Sequence, residues 1–304
     1  MKHTPYFEQA RLLLRYLPAL SVANCFALKG GTAINLFVRD LPRLSVDIDL
    51  AYLPLSQREQ ALSETRDALA RMATQAKRLL PGLRVLDAGT ANSPKQIAIT
   101  EQARIKIEPN PVLRGTVFPV MTRRLVPAAE ALFEMSVSVP VISQADLYAG
   151  KLCAALDRQH PRDWFDVHLL LDHEGLDEPL RQAFVVYMAS HDRPMAELLA
   201  PRTKPLREAF AREFAGMARE PVPLGALESV QATLPGLLRS SLSLSERQFL
   251  LSIKRGEPDW SLLPIPHLSE LPALCWKLAN IERLKQSPAK HQAAVDSLRA
   301  ILEI

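Results

Sequence analysis

Two aspartates separated by one residue stand in an otherwise apolar part of the chain. The segment 44–53 reads LSVDIDLAYL, a pattern typical of a β-strand. Residues i and i+2 of a strand lie on one face, so Asp47 and Asp49 share a face while Ile48 takes the other. Two carboxylates this close repel unless a cation lies between them, and Mg²⁺ or Mn²⁺ is bound by such oxygen ligands. The spacing therefore predicts a metal site; the alternative is a pair of surface aspartates on an exposed strand.

A third carboxylate follows in the segment 103–109, ARIKIEP. Its isoleucines alternate with polar residues, which places Glu108 on the polar face of a predicted strand. If that strand pairs near residues 46–50, Glu108 joins Asp47 and Asp49 in the arrangement that two-metal phosphoryl transfer needs. The alternative is an ordinary half-exposed strand.

A glycine turn precedes the aspartates, in the segment GGTAINLFV at 30–38. Gly30 and Gly31 let the backbone turn sharply and present N–H groups to an anion, and the start of a helix adds a positive end. Thr32 could offer its hydroxyl to a phosphate or cap the helix. Neither a Walker A loop nor a GxGxxG dinucleotide motif is present. The pattern predicts a nucleotide phosphate cradle, the alternative being a simple helix-start turn.

The segment 146–171, DLYAGKLCAALDRQHPRDWFDVHLLL, contains charged residues at apolar helical positions. Lys151 lies in the middle of a predicted helix, where the alternative to function is a side chain that reaches out to water. A helical hairpin would bring Lys151 near Asp163 or Asp166 of the next helix. A lysine so placed can act as a point charge on phosphate, and Asp166 could orient it or accept a proton from an attacking hydroxyl.

The order GGT, short helix, RLSVDIDL resembles the polymerase β-type nucleotidyltransferases. More closely, it resembles the AbiEii/AbiGii toxins of type IV toxin–antitoxin and phage-abortive systems, which include the MenT toxins. Arg43 and Ser45 match the residues that precede the acidic pair there, although the glycine turn and the aspartates are further apart than in the minimal enzymes. The pattern AGKLCAAL-DRQHPRDWFDVHLLL resembles the second signature of the family. The likeness continues weakly in 244–263 and 268–284 and so covers most of the chain.

The resemblance implies a fold and a reaction. The expected fold is α+β, a polymerase β-like core with a small mixed sheet followed by an all-α C-terminal region. The implied reaction is metal-dependent transfer of NMP from an NTP to an RNA acceptor, the tRNA 3′ end by analogy, which blocks translation. By position, Lys151 and Asp166 match the lysine and aspartate that complete the active site, and Arg162 and Asp163 match a helix-cap and salt-bridge pair.

The resemblance also implies a partner, a winged-helix antitoxin that needs no stable direct complex with the toxin. Two other functions remain open at this point. One is an antibiotic-type, small-molecule nucleotidyltransferase, which uses the same glycine and aspartate chemistry. The other is a non-catalytic nucleotide-binding regulator, against which the presence of both polar clusters argues.

The elements that position these residues divide the chain in two. Strand and helix patterns mix in 1–140, the predicted nucleotidyltransferase core, and helical patterns dominate 141–304, the predicted helical domain. The Pro-rich stretch 219–236 is the candidate linker within it. A long helix is predicted over 55–80, with Ser56 as its N-cap and Glu59 in a capping box.

Composition excludes several classes of protein. The 304 residues are 48% hydrophobic, and no apolar run is long enough to span a bilayer. The first ten residues lack the apolar region of a signal peptide, and three scattered cysteines indicate reduced thiols, so we expect a cytoplasmic protein. The net charge of +4 permits an RNA partner. None of the seven histidines has metal-site spacing, and GxSxG and CxxC are absent.

Overall fold

The computed structural model describes residue 2 and residues 4–304. The chain divides into two compact units. The first, called the sheet unit below, comprises Met1–Leu147 and Phe214–Val222. The second, the helical unit, comprises Tyr148–Glu213 and Pro223–Ile304. The sequence had placed the division between residues 140 and 141, and its pattern did not indicate the return of 214–222 to the sheet unit.

One seven-stranded mixed sheet forms the centre of the sheet unit. Its strands are β1 (Phe26–Lys29), β2 (Asp47–Tyr52), β3 (Arg84–Asp87), β4 (Gln96–Ile99), β5 (Arg104–Arg114), β6 (Met121–Arg124) and β7 (Ser138–Val141). Their spatial order is β3-β4-β5-β2-β1-β7-β6. Strand β2 pairs antiparallel with β1 and parallel with β5, and β1 pairs parallel with β7.

The alternation of side chains along the central strands gives the sheet two unlike faces. On β2, Ile48 and Leu50 are fully buried, whereas the aspartates between and before them are half-buried. On β5, Ile105 and Ile107 are buried and their polar neighbours are not. One face therefore belongs to the core and the other carries the polar residues that the sequence singled out.

The helices of the sheet unit are α1 (Pro5–Tyr16), α2 (Gly30–Ala33), α3 (Arg58–Leu79), α4 (Pro127–Phe133) and the start of α5 (Gln144–Asp157). Helix α2 continues as a π-helical turn over Ile34–Val38. Helix α3 buries one stripe, in which Ala61, Ala68, Met72 and Ala76 recur at helical spacing. Small side chains along this stripe let the helix backbone approach what it packs against.

Besides 3-10 turns at Trp260–Leu262 and Leu268–Glu270, the helical unit contains the rest of α5 and eight further α-helices in the described chain. These are α6 (Pro161–His173), α7 (Glu178–Ser190), α8 (Met195–Leu199), α9 (Arg207–Glu213), α10 (Leu224–Ser241), α11 (Leu244–Arg255), α12 (Pro272–Lys285) and α13 (Pro288–Leu302). Trp164, Phe184 and Phe249 are among its largest fully buried side chains. A capping box between Ser243 and Glu246 begins α11. The predicted α+β core and all-α C-terminal region are therefore confirmed.

Three local features differ from what the sequence predicted. Strands β6 and β7 were missed, because β6 is short and basic and β7 contains a proline. The stretch 219–236 contains the passage from the sheet unit to the helical unit, between Val222 and Pro223, but most of it is helix rather than linker, since α10 begins at Leu224 and accommodates Pro235. Helix α3 begins after Gln57 without a side-chain cap, because the Ser56 hydroxyl lies 2.9 Å from the Tyr52 hydroxyl instead.

Among the described residues, no helix is both long and apolar enough to span a membrane.

Candidate active site

The glycine turn brings the backbone directly against one of the two aspartates. Gly30 follows β1 with φ +71°, in the left-handed region that side chains rarely tolerate. A Cβ atom added at Gly30 would lie 2.2 Å from Oδ2 of Asp49. Only glycine therefore allows this approach, which combines a positive φ with a carboxylate in the space of a side chain.

The second glycine of the turn makes room for a buried arginine. A Cβ atom at Gly31 would lie 2.6 Å from Nη2 of Arg43 and 3.3 Å from Oγ of Ser45. Arg43 is only 2% exposed, and its Nη1 donates to the carbonyl of Leu44 at 2.9 Å. The two residues that matched the resemblance before the acidic pair thus form the support of the turn.

The Thr32 hydroxyl does not cap the helix and is hydrogen-bonded within the protein. It is fully buried, donates to the backbone carbonyl of Asp47 at 2.6 Å, and lies 2.9 Å from Oγ of Ser45. Helix α2 has no side-chain cap. The hydroxyl therefore joins the turn to the start of β2.

The three carboxylates predicted from strand patterns share one face of the sheet. Strand β5 pairs with β2 so that Glu108 is directly opposite Asp49, and Lys29 of β1 is opposite Asp49 on the other side. Asp47 lies two residues before Asp49 on the same face. Glu108 forms an ion pair with Lys95, Oε1 to Nζ 3.6 Å. The register thus satisfies the condition that the sequence set for Glu108.

The donor set fits a metal that is shared with a substrate. In the described chain, no group of three or more His, Cys, Asp or Glu side chains is arranged to hold a metal ion by itself. Mg²⁺ in phosphate-transfer sites is bound by one or two carboxylates together with substrate phosphates and water, not by an all-protein cage. Asp47 and Asp49 on one strand face, with the side-chain space of Gly30 filled by the Asp49 carboxylate, match that pattern.

A second polar cluster lies within the helical unit. The Lys151 ammonium on α5 is 2.8 Å from Oδ1 of Asp163 and 3.0 Å from Oδ2 of Asp166, both on α6. The lysine side chain is 6% exposed and both aspartates are fully buried. Lys151 therefore does not reach out to water, and the predicted hairpin contact is formed with both aspartates.

Asp163 is the centre of this cluster. Its carboxylate also accepts from Nε and Nη2 of Arg158, at 2.5 and 2.8 Å. Burial alone would raise the pKa of the Asp163 carboxyl, but the charges of Lys151 and Arg158 and their hydrogen bonds outweigh it and hold the pKa well below its usual range. The buried carboxylate is therefore ionised and fully engaged.

The helix-cap part of the Arg162–Asp163 prediction was wrong, whereas the salt-bridge part was right for Asp163. The N-cap of α6 is His160, whose Nδ1 accepts from the N–H of Arg162 at 3.1 Å. Arg158 was not predicted as part of this cluster, because its sequence pattern is that of an ordinary surface arginine. Its side chain is indeed 63% exposed, although it binds the buried Asp163.

The histidines take structural roles where the structure describes them near this cluster. His160 also pairs with Glu213, His168 with Asp172, and His173 with the carbonyl of Leu169. His3 lies outside the described residues.

Comparison with known proteins identifies a family whose sequence model covers most of the chain, and a solved structure with a similar fold. The sequence model of the family described as nucleotidyl transferase AbiEii toxin, type IV TA system, matches residues 11–278. Among solved structures, the fold is similar to that of MenT4, a nucleotidyltransferase toxin from Mycobacterium tuberculosis. The TM-score is 0.57 at 18% sequence identity, over 91% of this chain and 92% of the other. No curated protein matches the sequence significantly.

Proposed function

The chain belongs to the AbiEii nucleotidyltransferase toxin family, and from that premise we propose that it transfers NMP from an NTP to the 3′ end of tRNA. Family membership itself makes it a nucleotidyltransferase toxin with a nucleotide substrate and an antitoxin partner. One observation supports the chemistry: the Asp49 carboxylate occupies the space that a side chain at Gly30 would take. The acidic pair therefore lies directly against the glycine turn, the predicted phosphate cradle. Blocked aminoacylation in the cytoplasm would then stop translation.

The proposed reaction uses residues of the sheet unit in three roles. The backbone N–H groups of Gly30, Gly31 and Thr32 hold the NTP phosphates. Mg²⁺ or Mn²⁺, held by Asp47 and Asp49, would neutralise charge on the transferred phosphoryl group when bound.

Glu108 lies on the same sheet face as the acidic pair, on the neighbouring strand β5. We propose that it accepts the proton of the acceptor hydroxyl. The hydroxyl oxygen forms a bond to the α-phosphorus, the bond from that phosphorus to the bridging oxygen of pyrophosphate breaks, and the proton passes to a carboxylate oxygen of Glu108. Its ion pair with Lys95 is half-exposed, so the carboxylate is accessible to an acceptor.

Lys151 and Asp166 are the remaining predicted site residues. The resemblance assigns Lys151 a charge on phosphate, and we retain that role as a proposal. The contacts support a second one, since the Lys151 ammonium neutralises two fully buried carboxylates and so fastens α5 to α6. Asp166 then orients the lysine.

The winged-helix antitoxin is proposed to act without a stable complex. A small winged-helix protein in the neighbouring reading frame would support this pairing. The proposal of an antitoxin partner does not depend on which acceptor the enzyme modifies, because an antitoxin can oppose the toxin with either acceptor.

The experiment that tests the acceptor compares three reactions of the purified protein. Each contains one α-³²P-labelled NTP with Mg²⁺, and either total tRNA, an aminoglycoside mixture, or no acceptor. We expect label on the tRNA 3′ end alone. Label on the aminoglycosides would instead identify the small-molecule enzyme, and nucleotide binding without pyrophosphate release under any condition would identify a regulator.

A further inference from the structure

The face that carries the candidate carboxylates continues across the sheet to its β3 edge. Residues directly opposite one another in paired strands lie on the same face. The register therefore extends the face in two rows: Asp47, Lys106, Ile97 and Leu86; then Arg104, Ile99 and Arg84. We call the six residues beyond Asp47 the outer strand face.

The outer strand face is accessible and positively charged. Lys106, Arg104 and Arg84 are exposed, and Leu86 is 45% exposed. In the described part of the chain, none of the three basic side chains forms an ion pair with a carboxylate. Three cations without acidic partners therefore alternate with three aliphatic side chains, beside the carboxylates but outside the contacts already described.

The strand order gives this surface a place in the reaction. The glycine turn follows β1 on one side of β2, whereas Glu108 lies on β5 on the other side. In-line displacement requires the attacking hydroxyl and the leaving pyrophosphate on opposite sides of the phosphorus. With pyrophosphate held at the glycine turn, the acceptor must approach from β5, and its chain continues over β4 and β3.

We propose that the outer strand face binds the single-stranded 3′ segment of the RNA acceptor. Its phosphates lie against Lys106, Arg104 and Arg84, and its unpaired bases pack on the aliphatic side chains between them. This inference rests on the proposed function and specifies the surface by which that function selects a polynucleotide. Charge complementarity favours a polyanion, and the aliphatic positions favour one with exposed bases.

The test is fluorescence anisotropy of a labelled single-stranded oligonucleotide with the sequence of a tRNA 3′ end, titrated with the full chain at several NaCl concentrations. The variant R84A/R104A leaves Lys106 intact, because Lys106 is opposite Asp47. The matched control is K77A/R78A, which removes two exposed charges from α3. We expect R84A/R104A to bind about tenfold more weakly, with a log–log salt slope smaller by about 1.4 for two lost phosphate contacts. The control should bind like wild type, and the KM for NTP should be unchanged in both.

Equal affinities of R84A/R104A and the control for the oligonucleotide would overturn the inference. It would also be overturned if polyglutamate bound wild type as tightly as the RNA does, with the same dependence on Arg84 and Arg104. Circular dichroism tests whether both variants fold. If R84A/R104A does not fold, the single variant R84A, at the exposed sheet edge, replaces it. The titration contains no NTP. Failure of the proposed function would appear as wild type that binds this RNA but never labels it, whereas failure of the inference would appear as undiminished labelling by R84A/R104A.

Discussion

At the scale of the residue, Gly30 shows how one backbone position can determine a site. Its φ of +71° and the 2.2 Å between a built Cβ and Asp49 Oδ2 are independent constraints, one conformational and one steric. A second glycine, Gly82, has φ +84° but no atom within 4 Å of a built Cβ. Comparison of Gly30 with Gly82 therefore separates the effect of backbone strain from that of displacing the Asp49 carboxylate.

We predict that Gly30→Ala lowers kcat by at least about a hundredfold, because the new methyl group displaces the Asp49 carboxylate. Gly82→Ala should lose only the cost of a left-handed alanine, about 1–2 kcal/mol in unfolding free energy, and keep its activity. Steady-state nucleotide transfer and urea denaturation of both variants measure the two effects. If Gly30→Ala transferred NMP as fast as Gly82→Ala, the close approach would have no role in the reaction.

A second prediction at this scale concerns the buried ion pairs of Lys151. Lys151→Met removes the cation between two buried carboxylates and should lower the unfolding free energy by about 3–5 kcal/mol at pH 7. Because the folded pKa of Asp163 is depressed, its contribution is present above about pH 4, its usual range, and is lost as the pH falls below that. The difference between wild type and variant should therefore shrink from pH 6 to pH 3.

Urea denaturation at each pH measures this difference, and Lys290→Met, at an exposed position of α13, is the control. A difference that stayed constant with pH would contradict the role of Asp163. A folded Lys151→Met protein with the wild-type kcat, measured at saturating NTP and without urea, would show that Lys151 has a structural role only. That result would contradict its proposed role as a charge on phosphate.

At the scale of the element, the segment 214–222 supports the loop that leads to β2. The N–H of Leu44 donates to the carbonyl of Met217 at 2.9 Å, and the N–H of Arg219 donates to the carbonyl of Pro42 at 2.8 Å. Met217 is fully buried. A segment far along the chain thus holds the backbone on either side of Arg43, the arginine behind Gly31.

We predict that Met217→Ala loosens this support. Truncation of a buried methionine costs about 2–5 kcal/mol, and here the loss should be local to residues 41–46. Relative to wild type, hydrogen–deuterium exchange of the Leu44 amide should become faster in Met217→Ala, whereas exchange of amides in β4 should change little. Uniform acceleration over the whole sheet unit would mean that 214–222 has no special link to this loop.

The element scale also shows what sequence reasoning can reach. The alternation in SVDIDL and ARIKIEP was sufficient to put Asp47 and Asp49 on one face and Glu108 on the polar face of its own strand, because side-chain direction in a strand is local geometry. The pairing of β2 with β5, which brings the three carboxylates onto one sheet face, is known only from the structure. The helical spacing likewise indicated Asp163 and Asp166 as partners of Lys151. The Thr32 hydrogen bond, the burial of Arg43 and the return of 214–222 depend on contacts between distant segments, which no local pattern records.

At the scale of the whole molecule, the basic excess belongs to one unit. The sheet unit contains 19 Lys and Arg against 14 Asp and Glu, and the helical unit 18 against 19. The overall charge of +4 therefore understates the positive charge of the unit that carries the acidic pair and the outer strand face. This distribution favours a polyanionic acceptor, whose binding should weaken as salt increases.

The most direct test of nucleotidyl transfer compares Asp49→Asn with Asp67→Asn, an isosteric change at an exposed position of α3. Both proteins are incubated with α-³²P-labelled NTP, Mg²⁺ and total tRNA, and label on RNA is quantified after circular dichroism has shown that each is folded. We predict that Asp49→Asn abolishes labelling because the site loses a carboxylate ligand, while Asp67→Asn labels RNA like wild type. Labelling by Asp49→Asn at the wild-type rate would contradict the assignment of the acidic pair as the catalytic centre.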